Sequence, residues 1–279
     1  MFLKAVFAQV KYLLKRKEAA ITFIILFGMV ISNFIRNVLE FQGMDVIEMF
    51  HPMKLLLLSY NITNYKADLT IMFTQLYPIL VVLPAGFALA KEYQLGENVY
   101  MSARLGNKVY KSGKIVAAFL TTAIVFVAPL LMEFVLNCIS FPLNATGDLS
   151  NWPAYDEGYL KLVDNYFMSD LYKMNPYIYA IAGIMLFGLV SGLISAVTVV
   201  ISSLIKVKYN IFLFLPSLVL LNLSLIITTD NAPFSFRWYD YLLLFSEPEK
   251  NNIFFVIVIL IILIFVTAGV CVSHRKDCL

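Results

Sequence analysis

Residues 91–136 read KEYQLGENVYMSARLGNKVYKSGK followed by IVAAFLTTAIVFVAPLLMEFVL. The first part, residues 91–114, carries five Lys or Arg residues against two Glu residues, whereas the second part is an apolar run with a single late acid. An apolar run of this length is typical of a helix that crosses a bilayer. Polar and long apolar segments alternate along the whole sequence, and this alternation predicts an all-α membrane protein.

The composition excludes an ordinary soluble domain. Of the 279 residues, 61% are hydrophobic and 14% are charged, and the mean hydropathy is +0.81, whereas soluble domains carry about 25% charged residues. The apolar runs predict six transmembrane helices in a single transmembrane domain, residues 1–279, with no room for a soluble catalytic domain. The predicted spans are residues 19–35, 71–90, 115–136, 177–205, 211–228 and 253–271.

The basic residues orient the chain in the membrane. Fourteen Lys and Arg residues fall on the side that carries both termini, and six fall on the other side. Because Lys and Arg concentrate in cytoplasmic loops, both termini are predicted to be cytoplasmic, with the chain in a plasma membrane. Residues 1–17 have one apolar side and one lysine-rich side, which predicts an amphipathic helix lying in the membrane interface.

The polar segment 91–114 predicts a short broken helix whose ends are Gly96 and Gly106. One side of this helix is apolar and consists of Val99, Met101, Leu105 and Val109. So short a helix cannot bury an apolar side by itself. We therefore expect residues 91–114 either to lie on anionic lipid headgroups or to dock onto a partner.

Two features inside the predicted spans are candidate functional positions. Glu133 is a carboxylate near the outer end of the third span, and such a group is a candidate gate or substrate contact unless it reaches the headgroup region. Gly188, Gly192 and Ala196 recur every four residues in the fourth span, which predicts close packing against another helix. That helix belongs either to the same bundle or to a second subunit.

Several motifs of enzymes do not occur. The sequence has no phosphate-binding loop, no zinc-protease HExxH helix and no GxSxG nucleophile motif. We therefore predict no catalytic, cofactor-binding or metal-binding residue in this chain and no nucleic-acid partner. An intramembrane hydrolase would have Glu133 as its sole candidate residue.

The polar segment resembles the loop of ABC-transporter permeases of the type V exporter class. In that family an acidic residue closes the second span, a glycine follows, and a basic residue and then a lysine lead into the third span. The matching residues here are Glu92 (after Lys91), Gly96, Arg104 and Lys114. The layout is similar too, with an amphipathic N-terminal helix, six spans, both ends inside and a membrane-dipping segment between spans five and six.

The resemblance implies a partner and a mechanism. Residues 1–17 would be a connecting helix, and Glu92 to Leu105 a coupling helix that sits in a cleft of a separate ATPase subunit. The implied coupling interface comprises Glu92, Gly96, Met101, Arg104, Leu105 and Lys114. ATP and Mg²⁺ would be bound by that partner, and two permease chains, identical or related, would pair in the lipid membrane. ATP hydrolysis would then move a substrate outward, and peptide, lipid-linked molecule, drug and ion all stay open as substrates.

The outer segments depart from a minimal family member. Residues 40–70 and 140–176 are longer, and the second of them is rich in acidic and aromatic residues. They suit an extracellular or further membrane protein, a peptide or a lipid. The alternative function is a membrane scaffold or sensor that does not transport and that binds an extracellular ligand through these segments. Low alanine with abundant Ile, Asn, Lys and Tyr favours a bacterium with an AT-rich genome.

Overall fold

The computed structural model describes residues 2–46, 49–60, 67–143, 167–205, 209–222, 237–246 and 252–275. Within these ranges the protein is all-α, with eleven α-helices and two short 3-10 helices. The α-helices are α1 (Phe2–Leu14), α2 (Lys17–Glu40), α3 (Ala67–Leu80), α4 (Ala88–Leu95), α5 (Glu97–Leu105), α6 (Asn107–Ser140), α7 (Ser169–Met174), α8 (Pro176–Leu204), α9 (Leu215–Leu221), α10 (Tyr239–Leu242) and α11 (Asn252–Arg275). The 3-10 helices are Pro52–Leu55 and Asn210–Phe214.

Three helices, α2, α6 and α8, are long and apolar enough to cross a membrane. They have 24, 34 and 29 residues. At a rise of about 1.5 Å per residue, each is longer than the roughly 30 Å hydrocarbon core of a bilayer. They coincide with the first, third and fourth predicted spans, and they indicate a multi-pass membrane protein.

The other three predicted spans correspond to shorter apolar helices. These helices are Leu69–Leu80, Asn210–Leu221 and Phe255–Cys271. The last part of the fifth predicted span, residues 223–228, lies outside the described residues, and so does most of the acidic outer segment, residues 144–166. The sixth predicted span falls wholly within α11.

The second predicted span, residues 71–90, is not one continuous helix. Helix α3 ends at Leu80, residues 81–87 form successive turns, and α4 starts at Ala88. Pro84 has no N–H to donate and its ring obstructs a continuous helix. Gly86 lies so close to the neighbouring helix α8 that a Cβ there would be 2.6 Å from Thr198 Oγ1, so only glycine fits. The break therefore lets the chain pass close to α8.

Helix α6 lies at the centre of the bundle and packs along α8 and α2, with α1 across its first half. The largest core cluster contains an aromatic group around Tyr77 of α3, whose ring centroid lies 5.0 Å from that of Phe187 and 4.5 Å from that of Trp238. The Tyr77 hydroxyl is 3.0 Å from Ser191 Oγ. This hydrogen bond satisfies a phenol that is fully buried, as a dry core requires.

The bundle has two distinct ends. The basic end is formed by α1, α4, α5 and the first turns of α6. The opposite end is formed by residues 50–60 and 237–246 together with the last turns of α2 and α6.

Residues 51–59 enter the opposite end and are buried. Their Leu58 carbonyl accepts from Leu244 N at 2.9 Å, and the Leu244 carbonyl accepts from Tyr60 N at 2.8 Å, so residues 58–60 pair with residue 244 through the backbone. The short apolar run at residues 53–58 is thus covered by protein.

Candidate functional site

Helix α5 is set between two glycines with left-handed backbone angles. Gly96 ends α4 with a φ of 73°, and Gly106 separates α5 from α6 with a φ of 77°. A residue with a side chain is strained at such angles, so glycine is favoured at both positions. The predicted ends of the loop helix at these two glycines are confirmed, and α5 is a separate short helix.

Helix α5 contributes to the core of this chain only through Leu105, which is partly buried against the cluster of α1 and α6. It has no buried residue, unlike every other helix of eight or more residues in the described ranges. Val99 is 63% exposed and Tyr100 is 77% exposed, and Leu95, just before the glycine, is 70% exposed. Several apolar side chains on one short helix therefore face outward, which is typical of a protein contact surface.

A buried ion pair holds the ends of α4 and α6 together behind α5. Glu92 accepts from Lys114 Nζ through one carboxylate oxygen and from the Tyr110 hydroxyl through the other. Glu92 is 3% exposed and Lys114 is 1% exposed. Lys114 Nζ also lies 5.3 Å from the ring centroid of Tyr12 in α1, within cation–π range. These contacts join α1, α4 and α6.

A second ion pair joins α4 to the start of α2. Lys91 Nζ donates to Glu18, and Arg16 Nε lies 3.8 Å from the other oxygen of the same carboxylate. The groups are partly exposed, so each contributes little by itself. Together with the buried pair they fix the position of α4, and hence of Gly96 and α5, against three neighbouring helices.

Helix α1 presents apolar residues on two sides. Val6, Val10 and Leu13 are buried and pack in the same cluster as Ile115 of α6. The apolar residues on the other side are exposed, and they are Leu3, Phe7 and Leu14. The sequence predicts a single apolar side for residues 1–17, and the structure divides these six residues into a protein-facing and an outward-facing strip. The outward strip suits a lipid interface.

A cavity of about 550 Å³ lies between α1, α5 and the start of α6. Its apolar wall consists of Ala5, Ala8, Met101, Leu105 and Val109. Four residues of the predicted coupling interface, Met101, Arg104, Leu105 and Lys114, line this cavity. Tyr12 also lines it, and burial, followed by the negative charge of Glu97, raises the pKa of this phenol. Tyr12 therefore stays neutral at physiological pH.

The structure changes the role of two residues in the predicted interface. Glu92 and Lys114 were expected to belong to a surface that touches an ATPase, but both side chains are buried against each other. A partner in contact with α5 cannot reach them directly. They act as positioning residues, because they fix the helices from which α5 extends.

Glu133 lies at the opposite end and is fully buried. Its Oε1 atom accepts from Leu57 N at 2.8 Å and from Asn33 Nδ2. Asn33 and Asn37 of α2 both donate to the Leu55 carbonyl, at 2.9 and 2.8 Å. These side chains satisfy irregular backbone inside the bundle. Glu133 thus contacts residues 51–59 and not the headgroup region, and its role as a gate stays a prediction.

The small residues of α8 face α6. A Cβ added at Gly188 would lie 2.1 Å from Val127 Cγ2, and one at Gly192 would lie 2.6 Å from the Phe119 carbonyl oxygen. Ala196 is buried in the cluster shared with α1. The structure therefore uses these positions for packing within one bundle.

Sequence reasoning missed three side chains of the basic end. Tyr110 and Tyr12 surround the ion pair, and Gln9 lies in the buried side of α1. Gln9 had a readable signal, since it is a polar residue between the apolar residues of an amphipathic helix. The two tyrosines had none, because their contacts span different helices.

Comparison of the chain with family models, with curated proteins and with solved structures finds no match. In the part of the chain that the structure describes, no group of three or more His, Cys, Asp or Glu residues is placed to hold a metal ion. The function is therefore argued from the geometry of α5 and of the ion pair behind it.

Proposed function

We propose that the chain is the transmembrane permease subunit of an ABC transporter of the type V exporter class. In this proposal the described bundle belongs to a six-span domain with both termini in the cytoplasm of a bacterial cell. The basic end faces the cytoplasm, and the chain moves a substrate outward by alternating access. A separate ATPase subunit binds ATP and Mg²⁺, and a second permease chain completes the transporter.

The observation that carries the proposal is the exposed helix α5. It is nine residues long, has no buried residue, and lies between two glycines that each permit a sharp change of direction. An exposed apolar helix needs a partner to cover it. The sequence of the adjoining segment, with Glu92, Gly96, Arg104 and Lys114, resembles the family whose coupling helix meets an ATPase.

The connections of α5 suit the transmission of a movement. One residue, Gly106, separates α5 from α6, and the Glu92–Lys114 pair locks α4 to the same helix. A push on α5 would therefore shift α6 as a rigid body. Helix α6 is 34 residues long, and near its far end Glu133 contacts the buried residues 51–59 at the opposite end. A displacement at the basic end would thus reach the segment that closes the outer side.

The test is recovery of the ATPase with a tagged chain. We expect mass spectrometry of the cross-linked, detergent-extracted chain to identify an ATPase with a phosphate-binding loop. Tyr100→Glu should lower that recovery about tenfold, because an interface centre that loses an aromatic anchor commonly loses this much affinity. The fold should not change, since Tyr100 is 77% exposed.

Tyr209→Glu is the matched control, because Tyr209 is also a largely exposed tyrosine, 57% exposed, but lies outside α5. It should leave the recovery unchanged. Recovery of no ATPase from the unsubstituted chain would contradict the proposal. So would recovery that neither Tyr100→Glu nor Val99→Glu lowers below that of the unsubstituted chain. In that case the scaffold or sensor function would be the better account.

A further inference from the structure

The cavity between α1 and α5 contains a buried amide for which the described residues supply no hydrogen-bond partner. Gln9 is 3% exposed, and neither its Oε1 nor its Nε2 atom has a hydrogen-bond partner in the described ranges. An amide buried without a hydrogen-bond partner destabilises the folded protein. Buried amides are normally satisfied by protein, by ordered water or by a bound molecule, so Gln9 marks the cavity as a place where a molecule binds.

Two cations of the cavity are also available to a ligand. Lys4 and Arg104 line it, and neither forms an ion pair with a residue that the structure describes. Lys114 lines it as well, but its charge is already neutralised by Glu92. An anion in the cavity would therefore be recognised by Lys4 and Arg104.

The charged residues are distributed unevenly along the cavity. The acidic residue Glu97 acts on Tyr12, near the last turn of α1. Lys4 lies eight residues before Tyr12, about 12 Å along the helix axis, and Arg104 lies seven residues after Glu97, about 10 Å along α5. An anion is thus favoured beside Lys4 and Arg104 and disfavoured beside Glu97. Between the two ends the wall is apolar.

We propose that this cavity binds an anionic amphiphile, a molecule with one phosphate or carboxylate group on an aliphatic chain. The anionic group binds Lys4 and Arg104, its polar neighbour binds the Gln9 amide, and the chain contacts Ala5, Met101 and Leu105. The volume of about 550 Å³ is in the usual range of small-molecule sites, about 300–1,000 Å³. The bound molecule joins α1 to α5.

This chemistry has two sources, a phospholipid of the membrane and a free fatty acid. The proposal does not depend on an ATPase partner, because the binding is measured on the purified full-length chain alone. Native mass spectrometry in detergent would compare dioleoyl phosphatidylglycerol, dioleoyl phosphatidylcholine and oleate as added probes. Preference for phosphatidylglycerol over phosphatidylcholine identifies the lipid, and preference for oleate over both identifies the free acid.

The variants test the site itself. The double substitution Lys4→Gln, Arg104→Gln should weaken binding of the preferred anion at least about tenfold, since hydrogen bonds between charged groups have this strength. Lys11→Gln with Lys108→Gln is the control. It removes two exposed cations, one on α1 and one on α6, that do not line the cavity. This control should change the binding less than about twofold, because neither lysine lines the cavity and charges at a distance are screened by salt.

Two further substitutions separate binding from folding. Ala8→Leu narrows the cavity without changing its charge and should abolish binding, whereas both residues suit a helix equally well. Gln9→Leu should weaken binding and at the same time raise the melting temperature, because it removes an unsatisfied amide. Binding of neither anion, binding unchanged by the Lys4/Arg104 pair of substitutions, or binding retained by Ala8→Leu would each overturn the proposal.

Discussion

Each end of the bundle buries a carboxylate that either contacts α6 or belongs to it, but the two carboxylates have different hydrogen-bond partners. At the basic end Glu92 faces the ammonium group of Lys114, so a charged pair joins two helices through their side chains. At the opposite end Glu133 accepts from the amide of Asn33 and from the backbone of Leu57. The first carboxylate holds helices together, and the second seals an irregular piece of backbone.

The difference shows how each end can move. At the basic end the helices keep their own backbone hydrogen bonds, and the ion pair holds them as one unit from which α5 extends. At the opposite end residues 51–59 depend on side chains of α2 and α6 for their backbone partners. Displacing α6 therefore carries the basic end along but breaks hydrogen bonds at the opposite end. The opposite end is the place where a conformational change would be seen.

The largest effect should follow from breaking the ion pair. Glu92→Gln leaves the Lys114 ammonium buried without a counter-charge, and the loss of one partner of a buried pair costs about 3–5 kcal/mol. We expect a clear fall in the melting temperature of the detergent-solubilised chain, measured by intrinsic fluorescence.

The double substitution Glu92→Gln, Lys114→Met sharpens this result. It removes both charges, so most of the lost stability should return. Glu97→Gln is the control, since Glu97 is an exposed acid only five residues away. If Glu92→Gln and Glu97→Gln lowered the melting temperature by the same small amount, the Glu92–Lys114 pair would stabilise the chain no more than a surface ion pair. That result would contradict the prediction.

A somewhat smaller effect is expected at the opposite end. Glu133→Leu leaves the Leu57 N–H without an acceptor and the Asn33 amide with only the Leu55 carbonyl, at about 1–3 kcal/mol for each unpaired N–H. Glu133→Gln keeps an acceptor oxygen of the same reach and should cost much less. The measurement is the alkylation rate of a cysteine introduced as Ser59→Cys. Ser59 is 1% exposed in this structure, so a faster reaction reports that residues 51–59 have separated from the bundle.

The alkylation rate should rise in Glu133→Leu and stay near the parent rate in Glu133→Gln. Equal rates in the parent and in Glu133→Leu would mean that residues 51–59 are held by other contacts. A rise in Glu92→Gln but not in Glu133→Leu would reverse the assignment of the two ends.

Local signals in the sequence predicted much of the basic end. Gly96 and Gly106 set the ends of α5 because each backbone angle depends on a single residue. The three long spans follow from apolar runs that exceed the thickness of a bilayer. The stripe of Gly188 and Gly192 faces α6 because residues four apart share one side of a helix.

The rest depended on contacts between distant residues. Proline alone does not decide between a kink and a break, and the separation of α3 from α4 at Pro84 depends on the close approach of Gly86 to α8. Glu92 and Lys114 are 22 residues apart, so no periodicity reports their pairing. The surroundings of Glu133 were unpredictable for the same reason, since residues 51–59, more than 70 residues away in sequence, fold back and cover it.

The smallest effect is expected midway between the ends, where α8 packs on α6. Gly192→Ala would place a Cβ 2.6 Å from the Phe119 carbonyl oxygen, and because backbone must shift to admit it, we expect a loss of about 1–2 kcal/mol. Gly28→Ala in α2 is the control, since nothing lies within 4 Å of its added Cβ and alanine is the better helix former. Thermal unfolding should thus separate the two variants in opposite directions. If Gly192→Ala leaves the Ser59→Cys alkylation rate unchanged, the coupling between α6 and residues 51–59 does not depend on a tight contact with α8. A raised rate would instead make the α6–α8 contact part of what keeps the opposite end closed.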